Sequence, residues 1–497
     1  MSTSENGRRE FMKAMGLGAV SVVFGGCAGA AERGEGRASK KRPNILFCFA
    51  DDWAWPHASI AGDKVVKTPT FDRVAREGVL FENAFVSAPS CTPSRSAIVT
   101  GQWHWRLEQG GNLWSTLPAK FTVYPDLLEK KGYHVGFTRK GWGPGYDEPG
   151  GRTRNPAGPR YKDFAKFLEA RPEGAPFCFW FGSFDPHRGY KWRSGVESGM
   201  KLDDVEVPAC LPDSEEVRTD LCDYYWKVQR FDREVGELLA ILEEKGELDN
   251  TLVVMSGDNG LPFPRCKSNL YDNGTNVPLA VRWPARVKGG RVVEDFISLS
   301  DLAPTYLEAA GLKPAKYMTG RSFLDVLRSG KSGRVDPKRD RVFTGMERHT
   351  ARRAGGVGYP MRAIRTHDYL YIRNFKPDRW PAGDPEGYGD IDGSPTKSYM
   401  MKHRDDPKVK RLFELGFGKR PAEELYDLRK DPDQLNNAAG KSEYTKIKKE
   451  LATALMAKLK ATKDPRVVGG AEVFDKYPYY GSGYKPKAGP KPDKTKL

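Results

Sequence analysis

The sequence predicts an α/β fold, a large mixed and mostly parallel sheet flanked by helices, followed by a smaller C-terminal α+β domain. Three observations carry this: apolar runs of strand length, amphipathic helical patterns alternating with them, and a change of pattern near Arg341. The runs at 44–50, 133–138, 177–182, 251–255 and 277–283 are almost wholly apolar, which predicts strands buried on both faces. Between them, Leu221, Tyr225, Val228, Phe231, Val235, Leu238 and Leu242 recur at helical spacing and predict a helix over 221–245. Shorter helices are predicted at 70–77, closed by Gly78, and at 126–131, closed by Gly132. Strands alternating with helices imply crossovers and a largely parallel sheet. Beyond Arg341 come short strands at 361–365 and 369–373, long loops rich in Gly, Pro and Asp, and a terminal helix at 444–460.

This divides the chain into an export signal and linker at 1–40, a large domain at 41–340, a smaller one at 341–470 and a basic, disordered tail at 471–497. With 497 residues, 38% of them hydrophobic, the chain is long enough for more than one core, and global disorder is excluded. Arg8-Arg9 before the short apolar run 14–24 resembles a twin-arginine export signal, and that run is too short to span a bilayer. The small residues before Cys27 resemble a lipoprotein cleavage site, and lipid attachment at Cys27 stays open because Phe24 stands where Leu is usual. An exported, periplasmic or outer-surface location is expected. Seven cysteines without a Cys-x-x-Cys pair argue against thiolate zinc sites, and Cys210 and Cys222 are near enough in sequence to consider a bridge. The net charge of +16 suits a polyanionic partner; nucleic acid, acidic membrane and sulfated glycan all satisfy it on charge alone.

The residues that carry chemistry stand just beyond the apolar runs. Asp51-Asp52 comes after the first, Arg139-Lys140 after the second, Asp185-Pro186-His187 after the third and Asp258-Asn259 after the fourth. Ligands of open α/β sheets bind beyond the carboxyl ends of strands, so these groups are expected in one crevice. Asp51, Asp52, Asp258 and Asn259 offer only hard oxygen ligands, which suit calcium or magnesium and disfavour zinc. Arg95, Lys140, His187 and Lys267 would hold a compact anion beside that cation. Cys91 precedes Pro93, a helix-starting residue, and on chemistry alone reads as a thiolate nucleophile, although soft sulfur matches a hard cation poorly.

Cys91, Pro93, Ser94 and Arg95 match the Cys-x-Pro-Ser-Arg signature, and the chain resembles the type I sulfatase family from about Pro43 to Ala439. The resemblance implies the alkaline-phosphatase-like sulfatase fold, with 41–340 as the catalytic domain. It implies conversion of Cys91 to formylglycine by a maturation enzyme, and a hydrate there that joins Asp51, Asp52, Asp258 and Asn259 as a ligand of calcium, or of magnesium. It further implies roles for Arg95, Lys140 and Lys267 in holding sulfate and for His187 in contacting it or protonating the leaving group. The expected function is hydrolysis of sulfate esters on a sulfated carbohydrate, with nucleic acid excluded as a partner. Segments 260–265, 271–275 and 359–362 are most similar to the heparan N-sulfatase branch, so an N-sulfoglucosamine sulfohydrolase is an alternative. Two others are a phosphatase or phosphodiesterase of the related superfamily, which usually needs more than the seven histidines here, and an inactive glycan-binding protein. One departure stands out: Trp142 lies two residues beyond Lys140, where many sulfatases place His, leaving His57, His104 or His349 to fill that place. Trp103, Trp105, His349 and Arg362 are candidates for the pocket walls.

Overall fold

The computed structural model describes residues 42–481, so the export signal, Cys27 and the tail beyond 481 lie outside the described residues. The strands are β1 (Asn44–Ala50), β2 (Val79–Phe81), β3 (Ala84–Phe85), β4 (His134–Arg139), β5 (Phe177–Gly182), β6 (Thr251–Gly257) and β7 (Leu279–Arg282). They continue with β8 (Arg291–Val293), β9 (Ile297–Ser298), β10 (Arg341–Met346), β11 (Met361–Thr366), β12 (Tyr369–Asn374) and β13 (Glu423–Asp427). Seven form one sheet in the order β4-β5-β1-β6-β7-β2-β8. All neighbouring pairs are parallel except those of β7, which runs against both β6 and β2. The sheet is therefore mixed and mostly parallel, as the apolar runs predict.

The central strand shows why those runs are continuous. Leu46, Cys48 and Ala50 of β1 enter one core, packed beneath the helix Glu215–Glu244. Ile45, Phe47 and Phe49 enter another on the opposite face, beneath Leu302–Ala309. With both faces covered, no polar alternation survives. The long helix begins six residues before its apolar pattern because the Ser214 side chain accepts a hydrogen bond from Val217 N, capping a polar first turn.

Beyond the large sheet, β10 to β13 form a four-stranded antiparallel sheet in sequential order. The helix Thr445–Ala461 lays Leu451, Leu455 and Leu459 on it, beside Trp103 and Trp105. Residues 471–481, assigned to the tail by composition, pack instead: Val473–Lys476 is a short helix, and Phe474 is buried in that third core. Cys210 and Cys222 are both free, so the bridge considered between them does not form; Cys210 shares a hydrogen bond with Cys266. Among the described residues, no helix is long and apolar enough to cross a membrane.

Candidate active site

Because β4, β5, β1 and β6 are parallel neighbours, their carboxyl ends line one edge, and the main chain carries the pairing past them. Lys140 N donates to Gly182 O at 2.9 Å, Ser183 N to Phe49 O at 2.9 Å, Asp51 N to Asp185 O at 2.9 Å and Asp258 N to Ala50 O at 3.1 Å. These bonds fix four loops in register, so that the side chains predicted from four distant segments meet. Gly182 is required for this: a Cβ there would lie 1.6 Å from the Lys140 carbonyl oxygen. The turn after β1 is strained, with Asp52 at φ 74, and its amide donates to Asp258 Oδ1 at 2.9 Å.

Cys91 opens the buried helix Cys91–Thr100, two residues earlier than Pro93 suggests. Its thiol donates to Asp51 Oδ1 at 3.3 Å, and ligand atoms of Asp51, Asp52, Cys91 and Asp258 lie within 4.8 Å of one another. Asn259 Nδ2 reaches Asp52 Oδ1 at 2.6 Å and Asp258 Oδ1 at 2.7 Å, while its Oδ1 is buried without a partner. Three carboxylates and an orphaned amide oxygen in one spot fit a hard divalent cation, which relieves the repulsion and uses the free oxygen; the Cys91 thiol is the one mismatch.

The cations enclose this cluster. Arg95 is fully buried; its Nε donates to Asp258 Oδ2 at 2.7 Å, its Nη1 to the carbonyls of Lys140 and Gly141, and its Nη2 is left without a hydrogen bond, 3.8 Å from Asp51 Oδ1. Lys140 Nζ donates to Asp51 Oδ2, and Lys267 Nζ to Asp52 Oδ2 at 2.7 Å. His187 Nδ1 donates to the Arg188 carbonyl, which turns Nε2 toward Asp52 Oδ2 at 3.8 Å. Burial alone would raise the Asp51 carboxyl, but Lys140, His187, Arg95 and Lys267 outweigh it and hold it well below the usual range. At Asp258, burial prevails over Arg95, and the neighbouring Asp51 adds to it, so that carboxyl is raised. Burial, Asp258 and Asp51 together push the Cys91 thiol well up. Burial and two carboxylates therefore disfavour the thiolate form of an unmodified Cys91.

All nine predicted site residues meet here. Sequence reasoning missed Asp392, whose carboxylate takes a second bond from Lys267 Nζ at 3.2 Å and groups with Asp52 and His187. It comes from a Gly- and Asp-rich loop that reads as turn chemistry. Of the histidines held in reserve, His349 comes nearest: its Nδ1 pairs with Ser90 Oγ at 2.9 Å, beside Cys91. His57 pairs with Asp63 and Tyr225, and His104 with Ser87. Trp142 does not face the cluster, because its Nε1 donates to Ser96 Oγ at 2.9 Å inside the second core. Three of the expected pocket walls are corrected as well. Trp103 and Trp105 stack at 5.0 Å in the C-terminal core, and Arg362 is sealed between Glu347 and Asp464.

This fold and this site define an enzyme of the α/β class, a hydrolase suited to a compact oxyanion ester beside a divalent-cation centre. The sulfatase family model matches residues 43–312, and the chain belongs to that family, whose members hydrolyse sulfate esters. A second model, for the C-terminal region of N-sulphoglucosamine sulphohydrolase, matches residues 265–387. The N-sulphoglucosamine sulphohydrolase of Homo sapiens is 30% identical over 86% of this chain and 92% of its own length. An ulvan-active sulfatase of Formosa agariphila is 26% identical over 90% of this chain and 79% of its own. Among solved structures, one of a protein in complex with its substrate D-glucosamine-2-N,6-O-disulfate aligns with a TM-score of 0.64 at 21% identity, covering 85% of this chain and 99% of that one, a likeness of fold.

Proposed function

We propose that this sulfatase removes sulfate from a sulfated sugar of an anionic glycan, with residue 91 as formylglycine and one calcium ion at Asp51, Asp52, Asp258, Asn259 and residue 91. The observation that carries this reading is the buried Cys91 side chain, placed among three carboxylates that Arg95, Lys140 and Lys267 bind, a setting poorly matched to sulfur but suited to an oxygen. When present, the hydrated aldehyde and the calcium ion supply a hard oxygen nucleophile and a Lewis acid. The chain's own residues do the rest. Arg95 fixes Asp258 and the 140–141 carbonyls while its free Nη2 faces the reaction centre. Lys140 and Lys267 neutralise sulfate oxygens, and their buried ammoniums stay charged because Asp51, Asp52 and Asp392 push their affinity for protons above the ordinary value against the pull of burial. His187, with Nδ1 committed to a carbonyl, presents Nε2 as the atom that passes a proton to the leaving oxygen.

A sulfate ester ranks narrowly above an N-sulfo group, and the names of the relatives support both: one ulvan-active, the other an N-sulphoglucosamine sulphohydrolase. The match of residues 265–387 favours the N-sulfo reading specifically. Export is part of the proposal, supported by the twin-arginine pattern at Arg8-Arg9. The test combines the mass of the peptide carrying residue 91 with sulfate release from glucosamine 6-sulfate, N-sulfoglucosamine, ulvan oligosaccharides and matched phosphate esters. An aldehyde at 91 and faster release of sulfate than of phosphate are expected. Full activity with a proven thiol, or preference for phosphate, overturns the proposal, and activity on N-sulfoglucosamine alone reverses the ranking. Chelation should remove activity and calcium restore it; stoichiometric zinc in active protein would refute the metal assignment.

A further inference from the structure

Among the described residues four large hydrophobic side chains are exposed, and two of them, Phe184 at 56% and Trp192 at 44%, lie on the loop after β5 that carries His187. Trp192 forms one wall of a groove of about 290 Å³ whose other walls are Glu216, Pro395, Tyr399, Lys402 and His403. Pro395, Tyr399 and Lys402 belong to the helix Pro395–Lys402, and the rings of Tyr399 and His403 lie 4.5 Å apart.

One carboxylate locks this groove to the reaction centre. Asp220, buried on the long helix one turn beyond Glu216, accepts from Arg188 Nη1 and Nη2 at 2.7 and 3.0 Å and from the Thr396 hydroxyl at 2.6 Å. Arg188 follows His187 and Thr396 follows Pro395, so one carboxylate ties the loop that carries His187 to the helix that lines the groove. Trp192 stands five positions after His187 and Pro395 three positions after Asp392, which limits the reach to about 18 Å and about 11 Å respectively.

We infer that this groove is a subsite for the sugar units adjoining the one that is desulfated, with Trp192 as a stacking face and Lys402 with His403 as partners for their anionic groups. The inference rests on the glycan reading of the reaction centre and extends it. A ring face against Trp192 matches the apolar side of a pyranose, Glu216 accepts from its hydroxyls, and Lys402 supplies positive charge for a sulfate or carboxylate. A monosaccharide fills the reaction centre and leaves the groove unused, whereas a longer chain occupies both.

The test is sulfate release from matched mono- and tetrasaccharides of heparin and of ulvan by the wild type, Trp192→Ala and Lys402→Ala. The wild type should favour the tetrasaccharide by about fivefold or more in KM, in line with one aromatic contact, and each variant should lose that preference while keeping the monosaccharide rate. A length preference unchanged in both variants, or absent in the wild type, overturns the subsite. Failure to release sulfate from any saccharide overturns the proposed function instead, and a binding arm still reads the groove. Heparin tetrasaccharide titrated calorimetrically into Cys91→Ala protein should bind about fivefold more weakly once Trp192→Ala is added. Equal affinities overturn the subsite.

Discussion

Two regions of this molecule bury charge with equal thoroughness and use it oppositely. Under the C-terminal sheet, Arg362 is fully buried between Glu347 and Asp464, each at 2.6 Å, with Arg466 completing the group from the far side of Glu347 at 2.6 Å. The remaining Arg362 nitrogen spends itself on the carbonyls of Met346 and Met361. At the edge of the large sheet, Arg95 is just as buried, yet its Nη2 and the Asn259 Oδ1 lack hydrogen bonds and three carboxylates crowd together. A closed network of ions holds structure; an open one keeps a place for something that arrives.

The strongest challenge to that contrast is at residue 91. Cys91→Ala should lower turnover by at least about 10⁴-fold, as loss of a nucleophile does, with the melting temperature unchanged. Initial rates and calorimetry on the same sample check it, and retained turnover would break the comparison. In the closed network, Arg362→Ala should strip Glu347 and Asp464 of their partner and cost about 3–5 kcal/mol of stability by denaturant titration, with kcat of the folded fraction intact. Arg95→Ala should do the reverse, lowering kcat by about 10²–10³-fold, since its loss is felt where negative charge develops. Equal stability losses in the two arginine variants would erase the distinction.

The smallest effect concerns an unpartnered atom away from both. Burial raises Asp147 to about 6, and its Oδ1 has no hydrogen bond. A carboxyl raised on folding favours the native state at low pH and loses that advantage as pH rises through its native value, so the cost is complete above about pH 6. Asp147→Asn should gain about 1–3 kcal/mol at pH 8 and converge with the wild type near pH 4. Urea titrations at the two pH values decide it; a gain at both would assign the effect to packing.

Burial also governs how much of the molecule is legible in its sequence. Strands β1 and β5 are readable to the residue because both faces are buried, whereas β2, β3, β8 and β9 have two or three residues each and carry too little pattern. Strand β7 is shorter than its apolar run, since Val277 bonds to Ala84 outside the large sheet. Eight of the nine site residues are readable because they come soon after strands or sit in a motif, and Lys267 is readable through the family resemblance. Asp392 is not, for it arrives on a loop whose composition resembles any turn, and His349 is readable only as one of three candidates, which its contact with Ser90 singles out. Trp142 reads as a departure from the family pattern, but its burial against Ser96 depends on a tertiary contact that no local spacing records.

The pairing of β1 has a consequence in time. Its two neighbours, β5 and β6, lie far along the chain, with Asn44 matched to Thr251 and Ile45 to Cys178. Parallel pairing over such separations forms late, after the entropy of closing long loops has been met. During synthesis the reaction centre therefore cannot assemble until Asp258 and Asn259 have emerged, and until then Cys91 is an open thiol on an unfinished chain. Once the sheet closes, Cys91 keeps 2% of its surface. Any enzyme that alters that side chain works against a clock set by the arrival of β6, and slowing translation between residues 91 and 258 would lengthen the interval available to it.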